Sequence, residues 1–200
     1  MSVTIVAGFN CSDALLLGAD TEVTTPGISK LQSSKIFRKQ FRNGIKSAIG
    51  IAGSLAYGRM EMQHIEQILE GMASASATIK RMRKGIEEEM HQLKTNETDI
   101  AIQMLIALWS PKDRTAALLW IEGSAVNELF GYSAMGAGGY LVDYLVRLKY
   151  KPTMSEQEVR PLAIEAIRAA KNFVPECGGF TELIKLGRDG TLGQVERLSV

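Results

Sequence analysis

Four residues in the first third of the chain have the side chains and backbone that acyl-transfer chemistry needs. Each lies at the start or end of a short apolar run: Thr4, Asp20, Lys35 and Gly53. A hydroxyl becomes a nucleophile when a nearby base takes its proton, and a buried amine needs a carboxylate partner. Because a glycine lets a substrate approach the main chain, its amide can face a developing oxyanion. These residues predict a site at which a hydroxyl attacks a carbonyl carbon.

The apolar runs that carry these residues have the spacing of strands joined by turns. The runs at 3–9 and 15–19 are separated by turn-forming Asn, Ser and Asp residues, which predicts a hairpin. Two further strands are predicted at 35–38 and 45–52, with a turn at 42–44. Four strands therefore precede the first predicted helix.

The middle of the chain changes to a helical period. From Leu55 onward, apolar residues recur at three- and four-residue steps, which predicts one long amphipathic helix or a pair of helices. Small residues at 71–77 are expected to break or kink this segment. A second block of strands is then predicted at 100–109, 116–121 and 125–132.

The last third of the chain is predicted to contain two helices and two strands. The helices fall at 138–150 and 155–173, and the strands at 181–186 and 193–198. The second helix opens with a serine followed three residues later by a glutamate, the pattern of a capping box. This element order favours two antiparallel sheets between helical layers over a doubly wound parallel sheet. Without a linker or repeat, residues 1–200 are predicted to form a single domain.

The composition is typical of a soluble protein and excludes several classes of partner. The 200 residues, 46% of them hydrophobic, are enough to bury a sizeable core. Since 23 basic residues face 22 acidic ones, the net charge of +1 favours neither nucleic acid nor an anionic membrane. No signal-peptide pattern opens the chain, and no run approaches the roughly 20 apolar residues that span a bilayer. We therefore expect a cytoplasmic protein.

The cysteines and histidines do not indicate a metal or a cofactor. Cys11 and Cys177 are too few for a disulfide scaffold, and they lack metal-ligand spacing. His64 and His91 stand apart from the cysteines and from each other. The sequence thus predicts no cofactor, no bound metal and a reducing compartment.

The order and spacing of several segments resemble a known family. The segments are Thr4–Gly8, Leu17–Thr21, Lys35–Phe37, Ile51–Gly53, Ala134–Gly138 and Cys177–Gly179. Over nearly its whole length, the chain resembles the proteasome β-type subunits and their bacterial ring-peptidase relatives. The resemblance implies the N-terminal nucleophile hydrolase fold, an α+β four-layer αββα sandwich with two antiparallel sheets. It also implies a homo-oligomeric ring.

The resemblance implies a role for each candidate residue. Thr4 would be an N-terminal nucleophile activated by its own amine, Lys35 would ease proton loss from the hydroxyl, and Asp20 would hold the lysine. Gly53 would supply the oxyanion amide, and Ile51 would line a pocket for an apolar substrate side chain. The implied substrates are peptides or unfolded proteins, and an ATPase unfoldase is among the implied partners.

Several positions depart from the family pattern. A serine and an aspartate that complete the family's site fall here at Ala137 and about Val174, with Glu176 as a substitute for the second. The residue before Thr4 is a valine, which fits neither of the family's routes for freeing the threonine. While the three upstream residues stay attached, the nitrogen of Thr4 is in a peptide bond and cannot act as a base.

Three functions therefore stay open at the sequence level. The first is a threonine-type peptidase that works after removal of residues 1–3. The second is a catalytically inactive structural or regulatory ring subunit of the same fold. The third is an amidohydrolase that uses the same nucleophile on a small non-peptide amide, because one fold hosts many reactions.

Overall fold

The polypeptide folds into two antiparallel sheets that face each other, with helices on their outer faces. The structure is a computed structural model that describes residues 4–24, 30–96 and 102–199. The parts of the sequence predictions that concern residues 1–3, 100 and 101 lie outside the described residues. The order of layers is helix, sheet, sheet, helix, as predicted for an αββα sandwich.

The strands are short and match the apolar runs of the sequence. In chain order they are β1 (Val6–Asn10), β2 (Ala14–Asp20), β3 (Glu22–Thr24), β4 (Lys30–Gln32), β5 (Ile36–Gln40), β6 (Lys46–Gly53), β7 (Ile102–Ser110), β8 (Thr115–Glu122), β9 (Ala125–Glu128), β10 (Tyr132–Met135), β11 (Thr181–Gly187) and β12 (Glu196–Leu198). The helices are α1 (Leu55–Glu70), α2 (Ile79–Asn96), α3 (Gly139–Arg147) and α4 (Glu156–Phe173).

The first sheet has the strand order β10-β1-β2-β11-β12, and its neighbours are antiparallel. Strand β1 lies inside this sheet, where Val6 pairs with Ala19 of β2 and with Met135 of β10. The backbone N–H of Asp20 donates to the carbonyl of Ile5 at 3.3 Å. This register brings the residues just before β1 beside the end of β2.

The second sheet has the order β5-β6-β7-β8-β9, again antiparallel. Ile36 at the start of β5 pairs with Gly50 of β6, and the carbonyl of Lys35 accepts a hydrogen bond from Ile51 N–H at 3.0 Å. The lysine that precedes β5 therefore lies next to the end of β6.

Three apolar clusters hold the layers together. One lies between the two sheets, one between the first sheet and helices α3 and α4, and one between the second sheet and helices α1 and α2. Burial on both faces explains why strands such as β2 are continuous apolar runs rather than alternating ones. Among the described residues, no helix has the length and apolar content needed to cross a bilayer.

Two sequence predictions about the strands were wrong. Among the residues that the structure describes, six strands, not four, precede the first helix, because β3 and β4 form a separate two-stranded hairpin. The run 125–132 is not one strand, since β9 belongs to the second sheet and β10 to the first. A bend at Phe130 and Gly131 lets the chain cross between the sheets, and the carbonyl of Gly131 accepts from Asn10 N–H at 2.8 Å.

The predictions about the helices were confirmed. The helical segment after Leu55 is a pair, α1 and α2, interrupted at residues 71–78. At the start of α4, the backbone N–H of Ser155 donates to the Glu158 carboxylate at 2.8 Å, as a capping box requires.

Candidate active site

Asp20 is the centre of a buried polar cluster at the end of β2. Its side chain is fully buried, and Oδ1 accepts hydrogen bonds from Thr4 Oγ1 at 3.0 Å, Ile5 N–H at 2.9 Å and Lys35 Nζ at 2.6 Å. The other oxygen, Oδ2, accepts from Gly178 N–H at 3.0 Å. Burying a carboxylate is costly unless it is paired and hydrogen-bonded, and these four donors compensate for that cost.

Lys35 is the cation of the cluster. It is 2% exposed, and Nζ donates to the backbone carbonyl of Glu22 at the start of β3 as well as to Asp20. Burial lowers the pKa of the Lys35 ammonium, and the Asp20 carboxylate opposes this without cancelling it. A lysine whose pKa is below its usual value exchanges a proton more readily near neutral pH, which suits a group that assists proton transfer.

Thr4 contributes the candidate nucleophile. Its hydroxyl donates to the carboxylate oxygen that also binds Lys35, so the hydroxyl and the ammonium meet at one atom. The residue is 2% exposed. In this chain the nitrogen of Thr4 is joined to Val3 by a peptide bond and is therefore not basic.

A glycine-rich turn between β10 and α3 packs against the backbone of Thr4. A Cβ atom on Gly136, whose φ is +83°, would lie 2.0 Å from the Thr4 carbonyl oxygen. That carbonyl also accepts from Gly138 N–H at 3.5 Å. The close approach requires glycine at position 136, since any side chain there would displace Thr4.

The other two predicted site residues lie at the end of β6. Gly53 is half-buried and has a φ of +89°, a conformation that favours glycine. Ile51 is 1% exposed and packs beneath α1, where a Cβ on Gly58 would lie 2.3 Å from its Cγ2 atom. The hydrogen bond from Ile51 to the Lys35 carbonyl places this strand end beside the cluster. The oxyanion role of Gly53 and the pocket role of Ile51 stay predictions.

Two residues of the cluster were missed by the sequence reasoning. Gly178 donates to Asp20, and the neighbouring Cys177 is 3% exposed beside Gly138, where an added Cβ would lie 3.1 Å from its Sγ atom. Burial, reinforced by the Asp20 charge, raises the pKa of the Cys177 thiol to about 12, so the thiol is neutral at physiological pH. The sequence signal that could have identified these two residues was the Cys177–Gly179 segment, which resembles the family pattern.

The positions that depart from the family pattern provide no polar side chain in the structure. Ala137 is exposed in the turn before α3, and Val174 is buried at the end of α4. Glu176 is half-buried, two residues before the amide that binds Asp20. Its role as a substitute stays a prediction.

Two apposed sheets lie between helical layers, and a buried cluster of a hydroxyl, a carboxylate and an ammonium group lies at the start of the first strand. These features define the N-terminal nucleophile hydrolase fold. The sequence matches the family described as Proteasome subunit over residues 2–177. Since this match covers most of the chain, the protein belongs to the proteasome subunit family.

Similar sequences are found among archaeal proteasome subunits. Proteasome subunit beta 2 of Pyrobaculum calidifontis is 32% identical over 78 residues, which is 39% of this chain and 37% of that protein. Proteasome subunit beta 2 of Pyrobaculum neutrophilum is 24% identical over 200 residues, covering 96% of this chain and 93% of that protein.

Solved structures of proteins called Anbu share the fold. Anbu from Hyphomicrobium sp. strain MC1 superposes with a TM-score of 0.82 at 14% identity, covering 98% of this chain and 88% of that one. Anbu, described as an ancestral beta-subunit, from Yersinia bercovieri gives 0.82 at 13% identity, with 97% and 86% covered. The helical assembly of the Anbu complex from Pseudomonas aeruginosa gives 0.79 at 13% identity, with 97% and 86% covered.

Proposed function

We propose that this chain is a threonine-type peptidase subunit in which Thr4 is the nucleophile once residues 1–3 have been removed. The observation that carries the proposal is that the Thr4 hydroxyl and the Lys35 ammonium bind the same oxygen of Asp20. Membership of the proteasome subunit family supports the same reaction.

The proposed reaction begins with the freed amine of Thr4, which takes the proton of the threonine's own hydroxyl. Oγ1 then bonds to the peptide carbonyl carbon, and the negative charge that moves to the carbonyl oxygen is stabilised by the amide of Gly53. The C–N bond breaks, and the leaving amine receives the proton from the Thr4 ammonium. Water, activated by the same amine, hydrolyses the ester on Thr4. Throughout, the Lys35 ammonium favours the deprotonated hydroxyl.

The test compares the full chain with a chain that starts at Thr4, using a fluorogenic peptide with an apolar residue before the cleaved bond. We expect cleavage only from the chain that starts at Thr4, and its Thr4→Ala and Lys35→Ala variants should each lose more than about 1,000-fold in kcat. Thr115→Ala, at an exposed threonine, is the matched control and should cleave normally. Cleavage that survives Thr4→Ala would exclude this nucleophile.

Two observations favour the inactive ring subunit as a second candidate. Thr4 is 2% exposed, and neither Ala137 nor Val174 can supply a polar side chain to the site. The intact mass of the purified protein separates the two candidates. A mass that corresponds to a chain starting at Thr4 supports the peptidase, whereas a mass that includes residue 2 supports the inactive subunit.

The proposed substrates are peptides or unfolded proteins in the cytoplasm. The proposed enzyme is a homo-oligomer of this single-domain chain, and its proposed partner is an ATPase unfoldase. The helical assembly formed by the Pseudomonas aeruginosa Anbu complex supports assembly of many copies. Faster turnover of small acyl-amides than of peptides would instead favour the amidohydrolase.

A further inference from the structure

A carboxylate lies on the core-facing side of helix α1, far along the chain from the candidate active site. The buried positions of this helix recur at helical spacing and include one charged residue among apolar ones: Gly58, Glu61, Ile65 and Leu69. The Glu61 side chain is fully buried, and neither of its oxygens has a hydrogen-bond partner among the described residues. An unpartnered buried carboxylate is costly, so its retention here calls for a ligand.

Two other potential ligands face Glu61. His64 is one turn further along the same helix face, and Glu89 comes from α2, which packs alongside. The His64 Nδ1 atom lies 3.7 Å from Glu61 Oε2 and 3.1 Å from Glu89 Oε1. One donor atom from each of the three residues fits within 4.8 Å of the other two.

The contacts inside this cluster do not satisfy its members. The distance from His64 to Glu61 is too long for a hydrogen bond, and the closer approach to Glu89 is not aligned as one. The carboxylates of Glu61 and Glu89 also lie close enough to repel each other. The unpartnered carboxylate and the unaligned contacts of His64 indicate that a positive charge belongs between these three side chains.

We propose that Glu61, His64 and Glu89 bind one divalent transition-metal cation between α1 and α2, with zinc as the ion that fits best. Ligands held about 2.1 Å from zinc at tetrahedral angles lie about 3.4 Å apart, which is between the two distances from His64. Imidazole and carboxylate are ordinary zinc ligands, and a Glu-x-x-His pair on one helix face is a known metal-binding pattern. The His64 side chain is 44% exposed, so an ion can enter from solvent.

The experiment measures zinc binding to the full chain by competition with a chromophoric chelator. We expect one zinc ion per chain, and His64→Asn and Glu89→Gln should each weaken binding by about tenfold or more. Two changes on α2 serve as matched controls, Glu88→Gln at a residue 64% exposed and His91→Asn at an exposed histidine, and both should bind as the wild type does.

Thermal unfolding gives a second readout that does not depend on the chelator. Zinc should raise the Tm of the wild-type chain, because a ligand that binds the folded state stabilises it. Glu61→Gln removes the buried charge at constant shape, so this variant should fold without zinc and show no zinc-dependent rise. Failure of the wild type to bind zinc stoichiometrically, or unchanged affinity in His64→Asn, would overturn the proposal. Neither outcome bears on the peptidase proposal.

Discussion

At Asp20, one carboxylate oxygen accepts hydrogen bonds from both the proposed nucleophile, Thr4, and the lysine proposed to assist it, Lys35. The backbone amides of Ile5 and Gly178 bind the same carboxylate from two further directions. Because the four donors come from three different parts of the chain, the carboxylate is fixed in one orientation. The hydroxyl and the ammonium are therefore positioned relative to each other by a single rigid group.

Asp20→Asn should destabilise the protein by about 3–5 kcal/mol, because it leaves the ammonium of Lys35 buried without its anionic partner. The same change should lower the pKa of Lys35 further and abolish any peptidase activity. Urea unfolding of the wild type and the variant measures the first effect. Asp143→Asn breaks an exposed pair with Arg147 and should change stability far less. Equal effects of the two substitutions would contradict the central role of Asp20.

Three candidate site residues could be proposed from the sequence because their side-chain chemistry and spacing are visible in it. Thr4, Asp20 and Lys35 each flank an apolar run, and the fold brings all three together. Gly178 could not be assigned in this way, since it contributes a backbone amide that any residue type has. Its contact with Asp20 depends on how the chain returns after α4.

At the scale of elements, the turn from β10 to α3 sets the position of Thr4, the proposed nucleophile. It places Gly136 directly against the carbonyl of Thr4. The turn carries no polar side chain to the cluster, so it acts through the steric contact of Gly136 and the backbone hydrogen bond from Gly138 to Thr4. A turn that merely reaches from a strand to a helix would tolerate many residues, whereas this one requires glycine.

Gly136→Ala should cost about 2–4 kcal/mol of stability, because alanine is strained at positive φ and its Cβ would collide with the Thr4 backbone. Peptidase activity, where present, should fall by more than the stability loss explains, since Thr4 is pushed away from Asp20. Thermal unfolding and a peptide assay measure the two effects. Gly131→Ala is the matched control, because an added Cβ there meets nothing within 4 Å. A Gly136→Ala variant as stable as this control would refute the steric role.

The elements themselves were predictable to different degrees. Strands such as β2 are fully buried and read as apolar runs, and α1 and α2 show clear helical periods. Hairpin β3–β4 could not be found, because β4 is a three-residue strand whose side chains are all exposed. Such a strand has no apolar alternation, so the sequence carries no periodic signal for it.

At the scale of the whole molecule, the helical layer of α3 and α4 exposes a line of large apolar side chains. Tyr140, Tyr144 and Leu148 follow one another at four-residue spacing and are 69%, 62% and 71% exposed. Phe173 at the end of α4 is 77% exposed. Exposed apolar surface of this kind is typical of association sites, so we expect the proposed homo-oligomer to use this layer as an interface.

Tyr144→Glu should shift the protein from its assembled form towards single chains, because assembly would bury an unpaired charge. Sedimentation velocity at several protein concentrations measures the shift. Tyr57→Glu alters a 46% exposed tyrosine on the opposite helical layer and should leave the assembly unchanged. If Tyr144→Glu left the sedimentation pattern intact, this layer would not be the interface.

The overall architecture was predictable from element order and family resemblance, but the division of strands between sheets was not. Residues 125–132 are one apolar run in the sequence, yet the structure assigns the first four residues to β9 and only Tyr132 to β10. Strand β9 forms a local hairpin with β8, whereas β10 pairs with β1, more than a hundred residues earlier in the chain. The pairing of β10 with β1 is long-range and leaves no mark on local sequence.

The Lys35 ammonium donates a hydrogen bond to the Glu22 carbonyl, so the pKa of Lys35 depends on the position of the two-stranded ribbon formed by β3 and β4. Glu22 is the first residue of this ribbon, and its side chain pairs with Lys30 on the opposite strand at 2.7 Å. Because this carbonyl oxygen stabilises the ammonium form, a displacement of the ribbon would remove a hydrogen-bond acceptor from Lys35 and lower its pKa.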